Sequence, residues 1–96
     1  MVERKPLSPA EISSALQSLR GWNILAGKLH REILFNDFSE AFGFMTRVAL
    51  IAEQMNHHPE WSNVYHRVTI DLTTHDVGGI SALDLEFARK VNELLA

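Results

Sequence analysis

Three short words divide this chain and leave few folds open to it: "SPAE" at residues 8–11, "DFSE" at 37–40 and "SALD" at 81–84. In each, a Ser or Asp precedes a carboxylate by three residues. In that pattern the first side chain caps a helix and the second reaches back to the cap amide. Pro9 strengthens the first word, because the first helical position needs no amide hydrogen. Ile12, Leu16 and Leu19 then recur at helical spacing until Gly21, which predicts a helix ending at Arg20. From Asp37 a longer helix is predicted to about Met55, with Phe38, Phe42, Met45, Ala49 and Ala52 on one apolar face and Phe44, Val48 and Ile51 widening it. After Ser81, with Asp84 at the third helical position, Leu85, Ala88, Val91 and Leu95 predict a third helix to the end of the sequence.

The two intervals between these helices read as strand pairs. "WNILAGKLHREILF" holds two β-prone runs around Ala26-Gly27-Lys28, a hairpin over 22–35. "WSNVYHRVTIDLTT" alternates, with Val68, Ile70 and Leu72 on one face and Thr69, Asp71 and Thr73 on the other, and bends at His66-Arg67. Connections this short demand antiparallel pairing. The expected fold is therefore α+β in the order α-β-β-α-β-β-α, a four-stranded antiparallel sheet with three helices on one face. Residues 1–96 are expected to be a single domain, because a chain of 96 residues supports one modest core. Thr69, Asp71 and Thr73 leave the other face of the sheet either wet or part of a site.

Composition removes several classes of function. A net charge of −3 with no cluster of Lys and Arg argues against direct nucleic-acid binding. The sequence has no cysteine, hence no disulfide and no thiolate metal site, which fits a reducing compartment. "MVERKPLSPAE" lacks the apolar run of a signal peptide, and the longest apolar run, Val48 to Ala52, is too short for a bilayer. The expectation is a soluble, cytoplasmic protein without membrane contact. Small size and exposed strand edges favour a homo-oligomer.

The chemistry concentrates in "NHHPEW", Asn56 to Trp61. Adjacent histidines share a pocket only where the backbone bends, and Pro59 supplies a bend by disfavouring helical geometry at His58, ending the helix near Asn56 or His57. Glu53, four residues before His57, would lie on the same helical face and orient its imidazole. His75 closes the Thr-rich strand before "DVGG", where sheet topology could bring it beside the helix end. His30 and His66 are weaker candidates in exposed-looking settings. A plain reading stands beside this one, a helix stop whose histidines meet the last carbonyls, and so does a second functional one, a metal site using Glu53, His57, His58 and His75. Asp84 is fully accounted for by its place in a capping box, and Trp61 and Tyr65, of equal parity on their strand, read as an aromatic wall or as core.

Taken together, the spacing of Glu53, His57-His58-Pro59, Tyr65, His75 and Asp84 resembles the signature of the pterin-4a-carbinolamine dehydratases, known in animals also as dimerisation cofactors of a homeodomain transcription factor. "AFGFM", "NHHPEW", "NVY" and "TTHDVGG" look like the same family, and the element order extends the resemblance over nearly the whole chain. The resemblance implies a lyase that removes water from 4a-hydroxytetrahydropterin to give quinonoid dihydropterin in pterin recycling, with no metal or organic cofactor. It implies His57, His58 and His75 in the pterin pocket of a homodimer or homotetramer, and in relatives a transcription-factor partner bound through its dimerisation helices. In that frame His58 and His75 flank the 4a-hydroxyl as acid-base groups, and His57, steered by Glu53, binds or deprotonates the ring. Thr73 and Thr74 would meet the polar edge of the pterin, Trp61 would pack on it, and Pro59, Tyr65 and Asp84 complete the expected substrate-binding set.

Overall fold

The computed structural model describes residues 5–96. The elements are α1 (Pro9–Leu16), β1 (Asn23–Leu25), β2 (Lys28–Leu34), α2 (Phe38–Met55), β3 (Glu60–Val64), β4 (Arg67–Leu72), a one-turn 3-10 helix (His75–Val77) and α3 (Ala82–Leu95). The α+β order and the four-stranded antiparallel sheet are as expected. All three helix starts carry their caps: Ser8 and Ser81 form complete capping boxes with Glu11 and Asp84. Asp37 accepts from the Glu40 amide, while the Glu40 carboxylate reaches past it to the Asn36 amide at 3.0 Å.

The strands lie in the order β1-β2-β4-β3. Each hairpin closes through a two-residue turn, Ala26-Gly27 in the first and Tyr65-His66 in the second. The connection through α2 sets β4 beside β2, so the hairpins meet at their second strands. Leu29 and Ile33 of β2 and Val68, Ile70 and Leu72 of β4 point to the helices and are buried. The alternate residues form rows on the other face, one of which runs His30, Asp71, Glu60 across three strands.

The core joins that strand face to Phe44, Val48 and Ala52 of α2 and Phe87, Ala88 and Val91 of α3. A fully buried apolar side chain of this size contributes about 1.5–3 kcal/mol relative to exposure. Two expectations change here. The inward face of α2 is Ala41, Phe44, Val48 and Ala52, whereas Phe38 and Phe42 are exposed with their rings 5.7 Å apart. The apolar stripe is wider than the surface that α3 and β4 cover, and the Phe38–Phe42 column falls outside it.

The second change is the end of α1, which comes at Leu16 and not at Arg20. The amides of Gln17, Ser18 and Leu19 bond three residues back instead of four, and the Ser18 hydroxyl donates to the Ala15 carbonyl. The tightened turns drop Leu19 into the core, where it is 1% exposed. Gly21 follows at φ +88, a conformation strained for any residue with a Cβ, and a Cβ there would lie 2.6 Å from the Arg31 guanidinium carbon, so the Arg31 side chain would also have to shift. Among the described residues no helix is long and apolar enough to cross a membrane.

Candidate active site

The end of α2 decides where the two neighbouring histidines go. Asn56 takes the left-handed conformation, φ 49 and ψ 45, its amide bonds to the Glu53 carbonyl, and the His57 amide reaches the Ala52 carbonyl at 3.1 Å. This is a Schellman stop, with Asn in the place glycine usually holds. The chain therefore turns at Asn56, before Pro59 can act. His57 folds inward to 7% exposure, edge-on to the Phe87 ring at 6.2 Å, and His58 stays outside.

That turn corrects the expected partner of Glu53. Its Oε2 lies 2.7 Å from Nε2 of His58, and His57 is paired with Asp84. Spacing of four residues predicts a shared face only while the helix continues, and it stops between Glu53 and His57.

Asp84 is fully buried and has three hydrogen-bond partners. Its Oδ2 accepts from the Thr74 hydroxyl at 2.8 Å and from the Ser81 amide at 2.9 Å, while Oδ1 lies 2.5 Å from His57 Nε2. Thr74 gives its single hydroxyl hydrogen to Asp84, so in the 2.7 Å Thr74–Ser81 contact Ser81 is the donor. Ser81 Oγ in turn accepts from the Leu83 amide. An ionised carboxylate only accepts, so against one His57 donates from Nε2, and in the neutral ring Nδ1 is then the acceptor. Thr74, expected at the pterin edge, and Asp84, expected in the substrate-binding set, lie beneath the surface at 1% and 0% exposure, where Asp84, braced by Thr74, pairs with His57.

His75 opens the 3-10 turn directly after Thr74, so the buried network also anchors the segment that carries it. Its Nε2 is 3.2 Å from Oε2 of Glu60, the first residue of β3. Glu60 Oε1 in turn meets Lys28 Nζ at 2.5 Å. The Lys28 hydrogen bond, with its charge, holds the Glu60 carboxyl below its ordinary value, and the same bond raises Lys28 above its own. Neither Lys28 nor Glu60 was singled out in the sequence. Their pairing needs the strand order, because Lys28 must reach across the end of β4 from β2 to β3.

The remaining expected residues divide. Pro59 lies between His58 and β3, and Thr73 follows β4 beside Thr74, so both stay near the histidines in sequence and in space. Trp61 alternates with Glu60 and packs half-buried against the core on the helix side. Tyr65 is not on the strand at all: β3 ends at Val64, and Tyr65 sits in the turn with φ 49, at the opposite end of the hairpin from Glu60. Within one chain it does not join the histidines. His30 pairs with Asp71 at 2.8 Å on the outer sheet face, and His66 shares the turn with Tyr65. Among the described residues no three His, Asp or Glu side chains come together in a metal-holding group.

With this geometry in view, the comparison with known proteins is decisive for the family. The model of the family described as Pterin 4 alpha carbinolamine dehydratase matches residues 5–94. The chain belongs to that family. A curated relative from Solibacter usitatus that carries the name pterin-4-alpha-carbinolamine dehydratase is 61% identical over 90 residues, covering 94% of this chain and 95% of its own. One of the same name from Prochlorococcus marinus (strain MIT 9303) is 57% identical over 88 residues, 92% of each chain. Among solved structures, a "transcriptional coactivator/pterin dehydratase" from Brucella melitensis is similar with a TM-score of 0.92 at 44% identity, over 96% of this chain and all of that one. The matched residues include "NHHPEW" and "TTHDVGG", the two segments that carry His57, His58 and His75.

Two measurements probe this architecture. Replacing Asp84 by Ala leaves the His57, Thr74 and Ser81 donors buried without an acceptor, and urea unfolding is expected to show a loss of about 3 kcal/mol or more. For the exposed pair the sign follows from the two shifts. The stability carried by Glu60 is complete above the ordinary carboxylate range and lost as pH falls through its lowered value. That carried by Lys28 is complete below the ordinary lysine value and lost as pH rises through its raised one. Lys28→Met is therefore expected to move the Glu60 carboxyl titration, followed by its 13C shift, upward towards the ordinary value; an unchanged midpoint would contradict the contact.

Proposed function

We propose that residues 1–96 act as one pterin carbinolamine dehydratase domain, a hydro-lyase that converts 4a-hydroxytetrahydropterin to quinonoid dihydropterin and water, in pterin recycling. Family membership supports the reaction class. The observation that carries the mechanism is that three histidines on two segments each have a carboxylate at Nε2, with Glu60, two residues after His58, reaching His75 on the other segment.

The reaction breaks the C4a–O bond and forms a C=N bond at the ring nitrogen that gives up its proton, while the hydroxyl gains a proton and leaves as water. No net charge is produced, so the site has to move protons and not to hold an ion. Imidazoles switch protonation state near neutral pH, and general acid-base catalysis of this kind contributes about a hundredfold to ten-thousandfold. His58 and His75, with side chains 57% and 78% exposed, are the groups a substrate reaches, and they flank the departing hydroxyl. His57, fixed by Asp84 with Nδ1 as acceptor, receives the ring N–H. Thr73 and backbone groups beside it meet the polar edge of the pterin.

A second reading rests on the outer side of α2, where Phe38, Phe42 and Leu50 are 49%, 57% and 64% exposed. An apolar helix face with these spacings suits another helix, and we propose that it assembles the chain into a homodimer or homotetramer. The same face could receive a dimerisation helix of a transcription factor, a role to which the words "transcriptional coactivator" for the Brucella protein lend support.

Stopped-flow dehydration of chemically generated 4a-hydroxytetrahydropterin tests the activity, and no acceleration over background would overturn it. His58→Ala and His75→Ala are expected to lose most of the turnover with melting temperatures nearly unchanged, whereas His57→Ala loses stability as well because it strands Asp84. Sedimentation of Phe42→Lys tests assembly: a lighter species than the parent is expected, and an identical one would move the interface elsewhere.

A further inference from the structure

All three histidines of the site are paired through the same ring nitrogen. His57 Nε2 meets Asp84 at 2.5 Å, His58 Nε2 meets Glu53 at 2.7 Å, and His75 Nε2 meets Glu60 at 3.2 Å. The first of these is enforced by burial. His75 has no such enclosure: it sits on a single 3-10 turn with a side chain 78% exposed, where an imidazole would otherwise sample several rotamers and both neutral tautomers.

Glu60 answers that requirement from an unusual position. It follows His58 by two residues, so its contact with His75 ties the segment of the first two histidines to the segment of the third. Lys28 occupies Oε1 and leaves Oε2 for the imidazole. The neighbouring carboxylate in the same cross-strand row, Asp71, is already engaged by His30 Nδ1 at 2.8 Å and does not compete.

We propose that Glu60, held by Lys28, is a positioning residue for His75: its carboxylate accepts from His75 Nε2, fixes the tautomer and direction of the ring, and leaves Nδ1 as the nitrogen presented to substrate. The three acid-base groups then share one design, a carboxylate behind Nε2 and a working Nδ1 in front. This rests on the assignment of His75 as an acid-base group in the dehydration. As a solvent-accessible contact it adds little to stability, so its effect is on orientation and not on folding.

The test is a double-mutant cycle of Glu60→Ala and His75→Ala, read by stopped-flow dehydration and by 15N chemical shifts of the imidazole, which report the tautomer. Glu60→Ala is expected to lower kcat about tenfold with a smaller change in KM, as misorientation of a reacting group does. In the His75→Ala background it is expected to cost nothing further, because Glu60 acts through that ring. The His75 shifts are expected to show the Nε2–H form in the parent and a mixture in Glu60→Ala. Additive losses, or identical His75 shifts in parent and variant, would overturn the positioning role. Full turnover in His75→Ala would instead sink the catalytic assignment, and the shifts would still decide the pairing.

Discussion

The site depends on one buried carboxylate. Asp84 belongs to the first turn of α3, where it closes a capping box with Ser81, yet the same group holds Thr74 and His57. Three segments distant in sequence, the exit of α2, the exit of β4 and the entry of α3, are joined at a single pair of oxygens. A charge taken out of water is tolerated only when its lone pairs are met, and here two hydroxyl or amide donors and one imidazole meet them. The start of α3 and the placement of His57 consequently share one carboxylate.

Around that fixed point the other two histidines are held by looser means. Glu53 is an exposed carboxylate and Glu60 a half-buried one, and solvent-accessible pairs of this kind add little to stability. The division suits a proton-transfer site. In the proposed mechanism a rigid, buried imidazole would give the substrate one fixed reference, while two solvated imidazoles would exchange protons with water and reload between turnovers. Lys28 adds a cation to Glu60 from across the sheet, keeping that carboxylate ionised over the range in which histidine titrates.

Most of the fold was legible in the sequence because its signals are local. The caps at Ser8, Asp37 and Ser81 and the alternation of Val68, Ile70 and Leu72 need only neighbours within a few residues. The family signature marked all three histidines. What escaped was set by tertiary context. Which column of α2 faces inward depends on where α3 and β4 lie, so Phe38 and Phe42 were placed on the wrong side. Asp84 showed a cap locally and a substrate-binding role by resemblance, but not its hold on Thr74 and His57, because those contacts span 10 and 27 residues. Lys28 and Glu60, separated by 32 residues, carried no local mark at all. Tyr65 matched Trp61 in parity, but parity holds only along a strand, and the strand had already ended.

The assignment of partners to His57 and His58 turns on a single dihedral choice at Asn56. Had α2 run one turn further, His57 would have stacked over Glu53 on an exposed face, and Asp84 would have kept an unpaired oxygen in the core. The left-handed residue reverses this by ending the helix between Glu53 and His57, so that the first histidine enters the core and the second swings back over the last turn to the carboxylate. Asn enters that region more readily than other residues that carry a Cβ, and a β-branched side chain there would be strained. Pro59 then keeps His58, the residue before it, from resuming helical geometry. A helix stop and the division of three imidazoles into one buried and two exposed are thus the same event, which is why two adjacent histidines can do different work.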